Sequence, residues 1–65
     1  MDSVTIIWSG KVRPCVEVVE AYGEWFVRVV EEDQELTRSF DREWHALAFA
    51  EGQRIRLRLD KITLL

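Results

Sequence analysis

Arg54, Arg56 and Arg58 recur two residues apart, with Lys61 close behind. On an extended strand, residues two apart share a face and lie roughly 6–7 Å from each other. Cations at that spacing can follow a phosphate backbone, and the guanidinium fork binds phosphate through two hydrogen bonds. Trp8 or Trp25 could add a stacking group for a base. The chemistry also has a plainer use. Glu17, Glu31 or Glu35 on neighbouring strands can pair with the same arginines, and opposite charges across strands stabilise modestly. The formal charge of the chain is −3, so whole-chain electrostatics lend no support to nucleic-acid binding. Arg54, Arg56 and Arg58 are therefore candidate nucleic-acid contacts for an alternative reading, with ordinary surface pairing as the first account of them.

Glu31, Glu32, Asp33 and Glu35 form an acidic run. Carboxylates bind magnesium or calcium, but this run lacks the glycine turn and ligand ladder of a calcium loop. A solvated turn accounts for it. Cys15 and His45 are the only cysteine and the only histidine. An internal disulfide is thus excluded and a zinc cluster is not expected. A cysteine–histidine nucleophile needs contact and an orienting group, and nothing in the spacing supplies either. Glu43 near His45 does not make a metalloprotease motif, because the second histidine is missing. No catalytic, cofactor-binding or metal-ligating residue is assigned, no cofactor is expected, and the chain is not expected to be an enzyme.

Three tryptophans, three phenylalanines and one tyrosine are a large aromatic load for 65 residues. A chain this short buries only roughly 60% of its extended surface. Trp25 and Trp44 are expected to fill the sheet and helix core. Trp8, Tyr22 and Phe49 are less easily covered and are the candidate interface residues, since aromatics are enriched where proteins meet. This load without a staple favours a homodimer or another protein partner over a ligand cavity. The opening residues lack the basic segment, apolar run and cleavage region of a signal peptide. No apolar run nears the ~20 residues that cross a membrane. The expectation is a cytoplasmic protein without a membrane partner, which the unpaired thiol fits.

The elements that must position these residues follow from the pattern. Val4–Trp8 suits a strand, and Ser9-Gly10 a turn. Lys11 to Glu20 is extended, with Pro14 pushing the stronger strand to begin at Cys15. Ala21-Tyr22-Gly23 joins it to a strand from Glu24 to Glu31 in an antiparallel hairpin. Trp25, Val27 and Val29 share one face of that strand, and Phe26, Arg28 and Val30 the other. Val16 and Val18 likewise oppose Cys15, Glu17 and Val19. Apolar residues on both faces call for cover on both, by a helix and by the N-terminal segment or a partner. Glu35 to Phe40 returns as a further strand. Asp41 is the expected helix cap, Glu43 complements the positive helix end, and Ala46, Ala48 and Ala50 favour the helix. Trp44, Leu47 and Ala48 are expected to cover the sheet, with Phe49 directed outward. Phe40 is positioned to pack back toward His45. Gly52 fits a helix stop. The alternation from Arg54 to Leu59 then predicts a strand with Ile55, Leu57 and Leu59 inward. Asp60-Lys61 can turn the chain into Ile62–Leu65 as a short final strand, the alternative being one twisted or bulged strand through Leu64.

The hairpin, Glu24-Trp25-Phe26-Val27, Phe40-Asp41 and Ala46 with Ala50 together resemble small uncharacterised bacterial β-β-β-α-β domains. The likeness spans about Val16 to Leu59. Val4–Pro14 and the Arg54/Arg56/Arg58 alternation depart from it. It implies a fold and carries no activity or ligand. The fold expectation is one α+β domain over residues 1–65, a small antiparallel sheet packed on one short helix in the order β-β-β-β-α-β. The function expectation is a small non-enzymatic interaction protein acting as a homodimer. Nucleic-acid binding through the arginine strand is the alternative.

Overall fold

Cys15–Ala21 forms β1 and Glu24–Val30 forms β2 in the computed structural model, which describes residues 13–65. Valine-rich sequence favours this pleated backbone. The two strands pair antiparallel, Cys15 with Val30 through Ala21 with Glu24. The connecting residues Tyr22 and Gly23 have φ of 56° and 80°. Positive φ at both central positions is the hairpin geometry whose twist suits right-twisted strands. Glycine adopts it without steric penalty, and Tyr22 does so while fully exposed. The Gly23 N–H donates to Glu20 Oε2 at 3.2 Å and holds the turn closed.

Glu35–Phe40 is β3, antiparallel to β2. Helix α1 spans Glu43–Leu57, and the two-residue β4, Thr63–Leu64, follows. The sheet order is β3-β2-β1-β4. β4 runs parallel to β1, Glu17 beside Thr63 and Val18 beside Leu64. The α+β class is as expected, but the sheet is mixed rather than antiparallel, because the helix carries the chain back across the sheet before β4. The expected first strand, Val4–Trp8, lies outside the described residues.

The face split read from the alternation holds. Val16, Val18, Val27 and Val29 are buried under α1, and Ala46 and Ala50 are the helix residues buried against them. Trp25, Phe40, Leu47, Phe49, Leu57, Leu59 and Ile62 pack around this centre. No polar or charged residue is buried among the described residues. The cluster is therefore a dry contact between short side chains, and it depends on close approach of helix and sheet.

The helix corrects several sequence expectations. Its cap is Arg42 and not Asp41. Arg42 has extended backbone (φ −133°, ψ 135°), no side chain caps the helix, and the Arg42 carbonyl accepts the Ala46 N–H at 3.1 Å. Gly52 does not stop the helix, and Arg54–Leu59 is not a strand. The helix runs through Gly52 to Leu57 and ends at Arg58, whose φ of 59° and ψ of 42° are left-handed. The Arg58 N–H donates to the Ile55 carbonyl at 3.1 Å and the Leu59 N–H to the Arg54 carbonyl at 2.9 Å. This pair of bonds is the Schellman termination. The Arg54 guanidinium also donates to the Leu59 carbonyl at 3.0 Å, clamping the same turn.

Short alternation misled because arginine and leucine are good helix formers. At helical spacing Ala46, Ala50, Gln53 and Leu57 form one row, which carries Leu57 onto the core. The same spacing reverses three further expectations. Trp44 and Ala48, expected to cover the sheet, are exposed. Phe49 turns inward, against the core and 5.4 Å from the Phe40 ring. Ile55 is exposed, while Leu57 and Leu59 pack on the core.

Candidate interaction surface

The arginines expected on one strand face diverge around the helix end. Arg54 donates to both Glu51 carboxylate oxygens, at 2.9 and 2.6 Å. Arg56 reaches Glu31 at 2.7 Å and Gln53 at 3.0 and 2.7 Å. Arg58 is exposed at the helix terminus. The Arg56–Glu31 bond is one of the carboxylate pairings foreseen for this stripe. Glu17 and Glu35 have a different partner. Arg28 sits between them, at 2.7 and 2.6 Å, on the sheet face opposite the helix. Its hydrogen bonds to Glu35 and then Glu17 hold it firmly cationic. Arg56 and Arg54 hold the carboxyls of Glu31 and Glu51 below their ordinary range, chiefly by hydrogen bonding.

The acidic run is a turn between β2 and β3. The Glu31 N–H donates to the Gln34 carbonyl at 2.8 Å, and Gln34 Nε2 donates to Glu31 Oε2 at 3.3 Å. An open concavity of about 310 Å³ lies over it, lined by residues from Val30 to Glu35. Among the described residues, no group of three or more His, Cys, Asp or Glu side chains is placed to hold a metal ion. Cys15 and His45 are not brought together. Cys15 pairs with Val30 at one end of the sheet, whereas His45 packs 4.9 Å from Phe40, which pairs with Trp25 at the other end. Burial, with a smaller contribution from Glu17, raises the Cys15 thiol above its ordinary pKa. A neutral thiol is a poor nucleophile.

Of the candidate interface residues, Tyr22 is fully exposed at the hairpin tip. Phe49 is a core-packing residue, with Arg38 5.6 Å over its ring. Trp8 lies outside the described residues. The apolar surface that sequence reasoning missed is on α1. Trp44 is 69% exposed and Ile55 60% exposed, although both are large and apolar. Ala48, Gly52 and the Arg54-paired Glu51, also exposed, lie between them. At 100° per residue, Trp44, Ala48, Glu51, Gly52 and Ile55 occupy the side opposite Ala46, Ala50 and Leu57. Reading one uninterrupted helix from position 43 to 57 would have revealed this side. The glycine stop concealed it. Trp44 is further ordered by stacking on His45, ring centres 5.1 Å apart.

The sheet leaves two further exposed apolar groups near its margins, Leu36 on β3 and Leu64 on β4. They stand apart from the helix stripe and from each other, because β3 and β4 are the opposite edges of the sheet. Comparison with family models, curated proteins and solved structures finds no match for this chain. No described helix is long and apolar enough to cross a membrane.

Proposed function

We propose that this chain is a small, non-enzymatic interaction domain that acts as a homodimer. The supporting observation is the outward apolar side of α1, where Trp44 and Ile55 stay largely exposed although the helix has a complete core contact on its other side. Aromatic and aliphatic side chains in such a setting gain burial by meeting another protein. The reading extends to a cytoplasmic location, where the single Cys15 would stay reduced. Nucleic-acid binding through Arg54, Arg56 and Arg58 draws less support. Arg54 and Arg56 already engage Glu51 and Glu31, and the side chains no longer share one extended face.

Light scattering coupled to size-exclusion chromatography tests the proposal over a concentration series. The expected result is a mass rising from monomer toward dimer. A mass that remains monomeric at the highest soluble concentration refutes the homodimer. Salt-dependent retention of single- or double-stranded nucleic acid, lost on neutralising the three arginines, would favour the alternative.

A further inference from the structure

We draw no further inference here: the strongest candidate, the outer edge of β3 with exposed Leu36 and Arg38, is unpaired among the described residues, and nothing in the structure shows what covers it.

Discussion

Gly52→Ala distinguishes a glycine that ends a helix from one that merely lies within it. Gly52 is exposed inside α1, and its φ is not in the left-handed region. A Cβ there would have no neighbour within 4 Å. Alanine therefore adds no clash and removes backbone freedom from the unfolded chain. The helix-propensity difference is about 0.8–1.0 kcal/mol, and no contact in the monomer offsets it. That is appreciable against the roughly 3–10 kcal/mol expected for folding a chain of 65 residues. It should raise Tm by about 4–8 °C, the usual response of a domain this small to 1 kcal/mol. Urea denaturation of dilute protein should show the midpoint rising at unchanged slope, which separates folding from association. A lowered midpoint would refute the reasoning, because only a left-handed backbone or an unseen close neighbour penalises alanine there.

Three other perturbations probe the turn, the core and the ion pairs. Tyr22→Asn should stabilise the chain by about 0.5–1 kcal/mol, because asparagine tolerates the left-handed backbone better and Tyr22 has no packing to lose; thermal melts would show it. Val27→Ala, at a fully buried position between Val18 and Arg38, should destabilise by roughly 2–3 kcal/mol through lost burial and a cavity, read from chemical denaturation. Glu31 and Glu51 have folded pKa values depressed below the ordinary 4.5. Their stabilisation is present above that unfolded value and is lost as pH falls through the folded values. Acid titration of stability should therefore decline below about pH 4.5, and Glu31→Gln should make the decline shallower.

The strands were legible because a period of two fixes which residues share a face, although apolar residues on both faces left open which face the helix covers. Val16 and Val18 opposite Cys15 and Glu17, and Trp25, Val27 and Val29 opposite Phe26 and Arg28, allow only one pleat. Glu35–Phe40 was bounded correctly by its acidic turn and by Phe40. The helix was harder at both ends. Arg54–Leu59 satisfies a period of two over six residues, yet the same residues continue the Ala46–Ala50 row of a helix. Ile55 separates the two: a strand turns it inward with Leu57 and Leu59, and the helix leaves it exposed. Arg58 carries a left-handed φ that glycine would ordinarily supply, so the true stop left no compositional mark. Gly52 left a mark that had no such role.

The candidate surface was obscured by the same error. Once the helix is cut at Gly52, Ile55 joins a strand and cannot align with Trp44. Large side chains also bias a reading toward burial. Here the sheet is covered by alanines, because short side chains allow the closest packing over valines. Trp44 is displaced to the opposite side by that preference. The parallel placement of β4 could not be read from Ile62–Leu65 alone, since a short apolar segment states neither its neighbour nor its direction.

The two-residue β4 gives the domain an uneven folding order. β1, β2 and β3 pair with sequence neighbours and require only short loops to close. β4 must wait for the helix to cross the sheet before Thr63 and Leu64 meet β1, assisted by the Leu65 N–H donating to the Val18 carbonyl at 2.8 Å. Contacts so distant in sequence form late, and a contact so short opens readily. Its release uncovers one backbone edge of β1 while the hairpin meander stays intact. β4 thus pairs with β1 only at Glu17 and Val18, a short stretch of the kind of backbone edge that would otherwise be open to another strand.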